Sequence, residues 1–326
     1  MGIKSLTPLI KKHSPDSISH INLYKFSGKK VAIDGSLFIY QSLLNSKNIM
    51  KNKEGIITNH IVGLFYKLSL LLSYNIIILF IFDGKPPIEK YDCIQERKNK
   101  AINAKCKLNE STSIDDKNKY EKLSIRLSPE MVNEVKKLLH LMGISYFHPN
   151  IGEAEAIASE LCRQQEVDYV YTEDMDSLVY GCPNLIRNCV DSSLKRTGIV
   201  SVINLDTILS DFNITMDQFI SFSIICGCDY CPNIPKIGST TSLKLIKKYK
   251  NIDNIIKNNN YDFPHNYHQS FNNAFNIFTS YRDRKYNIKD FNSSTINPDL
   301  LEDYLINNIN MNTNRVKNSL KKIIIH

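Results

Sequence analysis

Two short apolar runs, each stopping at an aspartate, limit what this chain can fold into more than any other feature. They are Lys30-Val31-Ala32-Ile33-Asp34 and Ile76-Ile77-Ile78-Leu79-Phe80-Ile81-Phe82-Asp83. A strand with one wet face alternates apolar and polar residues. A run without alternation needs cover on both faces, which points to a parallel sheet between helices. A third, less regular run from Val167 to Thr172 leads into Glu173-Asp174-Met175-Asp176. Helical periodicity lies between the runs. Thr58 to Ser73 carries Ile61, Leu64, Phe65, Leu68 and Leu72, while Ser128 to Met142 opens on Ser-Pro and is followed by Gly143, a start and a stop. The alternation of strand and helix predicts an α/β fold with a mostly parallel central sheet and helices on both faces.

At 326 residues the chain can bury an ample core as one large domain or two modest ones. With 42% hydrophobic and 23% charged residues it has the composition of a globular protein rather than a disordered one. The longest apolar run, Ile76 to Phe82, is strand-sized and far too short to span a bilayer. The first residues lack the apolar stretch and cleavage site of a secretory signal. Gly2 invites myristoylation, but Leu6 stands where Ser or Thr is required. The expectation is an intracellular protein with no membrane contact. Eight cysteines are then reduced thiols. Cys226, Cys228 and Cys231 lie close together, but no further Cys/His pair at suitable spacing completes a zinc site.

The formal net charge is +8, and setting seven carboxylates aside in one site would leave the remaining surface seven higher, at +15. Such a surface favours a polyanion, because each Lys or Arg set on a phosphate releases a condensed counterion. Pro86 to Arg126 holds ten Lys/Arg against seven Asp/Glu and almost no apolar stripe. It therefore reads as an exposed helical insertion or an unstructured loop. Asn251 to Asn276 is Asn-rich and reads as irregular. Helical periodicity returns after Asp299, ending in a basic helix from Asn314 to Lys322.

In a parallel α/β sheet, ligands bind beyond the carboxyl ends of the strands. Asp34, Asp83, Asp174 and Asp176 all fall just past such ends. Each alone could be a helix cap or turn residue. Four converging on one edge would repel and raise one another's pKa, a conflict that a divalent cation resolves. Glu153 and Glu155, in Gly152-Glu153-Ala154-Glu155-Ala156, open a helix, as first-turn acids or as further ligands. Asp229, after the apolar helix Met216 to Ile225, is the least constrained by spacing. Hard oxygens without His suit Mg²⁺ or Mn²⁺. Seven acids suit two ions roughly 4 Å apart, flanking an in-line displacement at phosphorus. On pattern alone, a metal-dependent phosphatase rivals a nuclease.

The motifs in order are Met1-Gly2-Ile3, VAIDGSLFIYQ, FDGKPP, LMGI, GEAEA, TEDMDSL, CGCDYC and NRVKNSLKK. With them the chain resembles the flap endonucleases, structure-specific 5′ nucleases related to the xeroderma pigmentosum G protein. The resemblance implies a single nuclease domain over 1–326. Its parts would be an N-terminal nuclease region (1–104), the rest of a helical arch (105–127), an internal region with a helix-hairpin-helix-type duplex-binding element (128–254), and a C-terminal extension (255–326). It implies hydrolysis of DNA beside a 5′ flap, with 5′→3′ exonuclease activity, in replication and repair. Two Mg²⁺ per chain, replaceable by Mn²⁺, would be held by the seven carboxylates. Lys90 and Arg97 match basic residues used on the scissile phosphate, and seven positions along one helix would set them about 10 Å apart. Tyr40 matches a base-stacking aromatic and Gly2 a processed terminus near DNA, while Thr58 and Lys67 resemble positions near a 3′-flap pocket.

Two departures from the family pattern stand out. Its Gly-Ile-Gly hairpin here reads Lys236-Ile237-Gly238, which puts in question a backbone conformation that glycine adopts cheaply and the monovalent-ion and phosphate contact made there. Lys244, Lys247 and Lys248 share a helix face and could meet the same phosphates. The sequence ends at His326 without a clamp-binding peptide, so sliding-clamp binding by that route is not expected. The expected state is a monomer on DNA, in a nucleus or at a site of viral DNA replication. The alternatives are a sister activity (exonuclease, bubble or junction cutter) and a catalytically silent DNA-binding scaffold. The silent scaffold predicts loss of acidic residues, and all seven are present.

Overall fold

The computed structural model describes residues 3–44, 49–188, 198–288 and 295–324. In chain order the elements begin α1 (Leu6–His13), β1 (Ile18–Asn22), β2 (Lys30–Asp34), α2 (Gly35–Leu44), α3 (Asn59–Leu72), β3 (Ile77–Ile81), α4 (Tyr91–Glu110) and α5 (Ile114–Ser124). Then come α6 (Pro129–Leu141), β4 (Ser145–Phe147), α7 (Ala154–Arg163), β5 (Tyr169–Tyr171), α8 (Asp176–Val179), β6 (Asn184–Asn188) and β7 (Ile199–Asn204). The last are α9 (Leu205–Phe212), α10 (Met216–Cys226), α11 (Ser239–Tyr249), α12 (Ile252–Asn258), α13 (Tyr267–Thr279), α14 (Pro298–Asp303) and α15 (Thr313–Ile324). The fold class is α/β, as the apolar runs predict. The chain divides into a first unit (Met1–Lys25, Asp83–Cys93, Pro149–Asn287) and a second (Phe26–Phe82, Ile94–His148, Ile288–His326).

The second unit holds the two diagnostic runs as neighbouring parallel strands. β2 pairs with β3 in a register that sets Asp34 opposite Ile81, and β3 pairs in parallel with β4. Both runs are almost wholly buried, which is why they show no alternation. α2 packs on α3, and α3 in turn meets α6 and α15. The expected helix ends hold. Thr58 precedes α3, and Ser128 accepts a hydrogen bond from Met131 N at 3.3 Å ahead of Pro129 in α6. Directly after Asp34, a Cβ on Gly35 would lie 2.6 Å from the Ile81 carbonyl oxygen. Glycine thus lets α2 start hard against β3.

In the first unit, β1 and β6 flank β7 antiparallel, while β5 pairs with β6 in parallel. Parallel pairing therefore holds in the second unit and for β5 with β6, and β7 reverses the direction. α7 packs on β5 and α8, and α10 meets α11 and α13. α10 and α11, joined by the loop 227–238, stand where the sequence expects the helix-hairpin-helix-type element.

The expectation of irregular chain over 251–276 is wrong, because α12 and α13 lie there. Asparagine dilutes the pattern, but Ile252 and Ile255, then Tyr267, Phe271, Ala274 and Phe278, are buried at helical spacing. Pro86 to Arg126 resolves into helices α4 and α5, mostly exposed, with Ala101 and Ala104 the buried side chains of α4. Lys90 closes a 3-10 turn (Ile88–Lys90) and α4 begins at Tyr91. Lys90 thus lies in the turn that leads into α4, and Arg97 on α4 itself. Among the described residues no helix is long and apolar enough to cross a membrane.

Candidate active site

Within the first unit, acidic side chains gather around one ammonium. The Lys90 Nζ donates to Glu153 Oε1 and lies 3.9 Å from both Glu155 Oε1 and Asp229 Oδ2. The same ammonium stands 5.8 Å from the centre of the Tyr230 ring. Sequence patterning expects Glu153 and Glu155 at a helix start, and they stand there. Glu153 is the N-cap of α7 and Glu155 is in its first turn. The cap bond, however, comes from elsewhere. Asp83 Oδ1 accepts the Ala154 N–H at 2.8 Å, and the Tyr281 hydroxyl accepts the Glu153 N–H at 3.2 Å. Two of the unpaired N–H groups of a helix start are thereby satisfied by distant side chains. Gly84 permits this approach, since a Cβ there would lie 2.6 Å from the Pro149 carbonyl oxygen.

Asp174 and Asp176 follow β5. Asp176 donates its N–H to Asp174 Oδ1 at 3.1 Å, and Asp174 donates its own to Thr172 Oγ1 at 3.1 Å. Asp176 is buried, and its Oδ1 has no hydrogen-bond partner. A buried carboxylate oxygen without a partner is costly, so it marks a place where a cation would be held. Asp229 lies in the turn after α10, between Cys228 and Cys231, whose backbones pair as an isolated antiparallel β-bridge while both thiols stay free.

The charge imbalance sets the protonation of the cluster. Burial alone would lower the Lys90 pKa, but Glu155 and Glu153 outweigh it and hold the ammonium above the ordinary lysine value. Burial raises the Glu153 carboxyl; Lys90 opposes this, while Asp83 and Asp229 add to it. Asp176 is raised well above the usual carboxylate range by burial, then by Asp174 and Asp229. All three directions share one origin: more carboxylates than cations in a desolvated place. Hard oxygen donors, one of them orphaned, fit a divalent ion such as Mg²⁺. As the side chains stand, no three His, Cys, Asp or Glu residues among the described ones are gathered closely enough to hold an ion. The cation they surround is the Lys90 ammonium.

The other expected residues lie on several elements of the two units. In the second unit Asp34 is buried at the end of β2, and its Oδ1 accepts the Leu37 N–H at 3.1 Å, so it also caps α2. Arg97 lies along α4. Tyr40 is half-buried on α2, and Lys67 on α3 lies 3.3 Å from the Phe38 ring centre and donates to Gln41 Oε1 at 3.2 Å. Thr58 is buried with its hydroxyl unpartnered. In the first unit Lys244, Lys247 and Lys248 are exposed on α11. Gly238 is extended, with open space where a Cβ would stand. Lys236 keeps the left-handed conformation, at φ 64°, despite not being glycine. Gly2 lies outside the described residues. Cys226 and Cys231 are free thiols pushed up to about 12 by burial.

Sequence patterning misses the aromatic wall of the site. Tyr230 donates to Glu153 Oε2, and the Tyr180 hydroxyl lies 2.7 Å from that of Tyr230. Tyr230 directly follows Asp229 and Tyr180 lies one helical turn past Asp176, a signal available in hindsight. Tyr281 has no such signal.

Two family models match this chain, the XPG N-terminal domain over residues 1–104 and the XPG I-region over 143–229. Flap endonuclease 1 of Theileria parva is 34% identical over 99% of this chain, which spans about 65% of that relative's own length. Flap endonuclease 1 of Candida glabrata is 33% identical, over 99% of this chain and 87% of the relative. Among solved structures, flap endonuclease-1 from Methanococcus jannaschii superposes with a TM-score of 0.71 at 28% identity, covering 94% of this chain and 95% of that one. On the Candida match, which spans most of both sequences, this chain belongs to the flap endonucleases of the XPG family.

Proposed function

We propose that the chain is a structure-specific 5′ nuclease that hydrolyses a DNA phosphodiester beside a 5′ flap, with accompanying 5′→3′ exonuclease activity. Its setting would be replication and repair, in a nucleus or at a site of viral DNA synthesis, and it would act as a single domain and as a monomer. The observation that carries this is the carboxylate cluster around Lys90, with the Asp176 Oδ1 buried and unpaired. Asp34, Asp83, Glu153, Glu155, Asp174, Asp176 and Asp229 would hold two Mg²⁺, or Mn²⁺ in their place. When bound, such ions activate water and offset charge on the phosphoryl oxygens.

The chain's own residues supply the rest. Lys90 is kept protonated by its acidic neighbours and is a fixed positive charge for the scissile phosphate; Arg97 would be a second. Asp83, capping α7, fixes the helix that carries Glu153 and Glu155. Lys244, Lys247 and Lys248, with the hairpin around Gly238, would meet duplex phosphates on one side. Tyr40 would stack on a base at the junction, with Gly2 nearby, while Thr58 and Lys67 would meet a 3′ flap.

The test is cleavage of end-labelled 5′-flap, nicked and bubble DNAs in Mg²⁺ or in EDTA, with Lys90→Met alongside. Flap cleavage in Mg²⁺ alone is expected, with Lys90→Met slowing single-turnover cleavage by about 10² or more and leaving flap affinity within a few-fold. Cleavage that survives EDTA, or that prefers the bubble, would refute the proposal.

A further inference from the structure

Three phenol hydroxyls close on Glu153, and nothing in the chemistry assigned so far calls for them. The Tyr230 hydroxyl donates to Glu153 Oε2, while Oε1 faces Lys90. The Tyr180 hydroxyl lies 2.7 Å from the Tyr230 oxygen and 3.4 Å from Glu153 Oε2. From the chain just after α13, the Tyr281 hydroxyl accepts the Glu153 backbone N–H at 3.2 Å. The rings hold one another. Tyr180 meets Tyr281 edge-on at 5.4 Å between centroids and Phe278 at 4.9 Å, and Phe278 meets Tyr230 at 5.3 Å.

Packing alone does not account for this wall. Phe278 shows that an unsubstituted ring serves there, and burying a phenol oxygen is unfavourable unless it is hydrogen-bonded. Tyr180 is buried, and both polar neighbours of its hydroxyl belong to the Glu153 network. Tyr281 fixes the same residue from its backbone side. It also packs against the preceding glycine, where a Cβ on Gly152 would lie 3.2 Å from the ring.

We infer that Tyr180 and Tyr281 are positioning residues for Glu153: Tyr180 holds its carboxylate, and Tyr281 its main chain, in the orientation that ligates a divalent cation. This rests on Glu153 being a ligand. Groups that hydrogen-bond a metal ligand without touching the metal set the ligand's direction, and their loss costs about 10–100-fold in metal affinity. Neither tyrosine need touch the DNA or the ions.

Tyr180→Phe and Tyr281→Phe each delete one oxygen and keep the ring. Mn²⁺ binding to the full chain without DNA, followed by electron paramagnetic resonance, gives the affinity, and thermal unfolding in EDTA gives the stability. The Mg²⁺ dependence of flap cleavage adds a third readout. Tyr180→Phe should weaken ion binding by about tenfold or more. Tyr281→Phe should do so to a lesser degree, and cleavage should recover as Mg²⁺ is raised. Unchanged ion affinity in both variants, with only a lower melting temperature, would overturn the inference and leave a structural wall. Glu153→Gln separates the two levels. If it binds Mn²⁺ as tightly as the parent, the ligand assignment itself fails and the inference with it. If it binds weakly while both tyrosine variants bind normally, the positioning role alone is refuted. Should Tyr180→Phe fail to fold, the Tyr281→Phe variant decides.

Discussion

Asp176→Asn should make the ion-free protein more stable while removing its response to Mg²⁺. Asp176 is buried, its Oδ1 has no partner, and Asp174 and Asp229 add to the cost of its charge. A carboxyl whose folded pKa lies above its unfolded one contributes stability below the unfolded value, and loses it as pH rises through the folded value. At pH 7.5 in EDTA the parent chain therefore carries a penalty that an isosteric amide does not. The amide keeps the buried oxygen but removes its charge and the repulsion from Asp174 and Asp229, a gain of about 1–3 kcal/mol on the scale of a buried polar group left unsatisfied. In a protein of this size each kcal/mol moves the melting temperature by about 2 °C, so the variant should melt higher by roughly 2–6 °C. Ten millimolar Mg²⁺ acting on a site a hundredfold tighter would return about 2.7 kcal/mol to the parent, and little to the variant. Calorimetry of both proteins, in EDTA and in Mg²⁺, should then show the order of melting temperatures converge or reverse. A variant less stable than the parent in EDTA would refute the assignment of Asp176 as a strained ligand. So would one that gains as much from Mg²⁺.

Two further outcomes test separate parts of the chain. His60 on α3 is buried, with Nε2 2.7 Å from Glu134 Oε2 on α6, and burial lowers its pKa against the pull of Glu134. A histidine with a lowered folded pKa gives full stability above its unfolded value near 6.5 and loses it as pH falls below. Urea midpoints of the parent should fall between pH 7 and 5, and those of His60→Gln should fall less; parallel curves would exclude this origin. In the hairpin, Lys236 at φ 64° carries strain of about 1 kcal/mol. Lys236→Gly should match or exceed the parent in stability, while Lys236→Val should be lower by about 1 kcal/mol or more. Equal stability of the two variants would show that the turn has relaxed.

The parts legible in the sequence were those whose physics is local. β2 and β3 could be read because strands covered on both faces leave an unbroken apolar run, and α6 because Ser128-Pro129 and Gly143 mark its two ends. α12 and α13 were not legible, because a stripe such as Phe271, Ala274 and Phe278 is masked when Asn272, Asn273 and Asn276 dilute the apolar positions around it. The carboxylates of the site could be named from strand ends and from the resemblance. Their hydrogen bonds could not. Asp83 caps a helix that begins at Ala154, and Tyr281 reaches Glu153 across 128 positions of sequence. No period or motif encodes such a contact, since it exists only once the sheet and helices have been assembled.

The Lys90 ammonium ties these observations together. It sits among Glu153, Glu155 and Asp229, and their charge holds it protonated. A nuclease that must hold several buried carboxylates together before its substrate arrives faces a repulsion that grows with each acid. A tethered cation relieves part of that repulsion, and its flexible four-carbon stem lets it reach a phosphate that enters the same space. Arginine would not substitute: its planar fork needs two fixed acceptors, whereas here three carboxylates approach one point. The same compact charge that steadies the carboxylate cluster would thus be the group best placed to meet a phosphate, and losing it should destabilise the site as well as slow the chemistry.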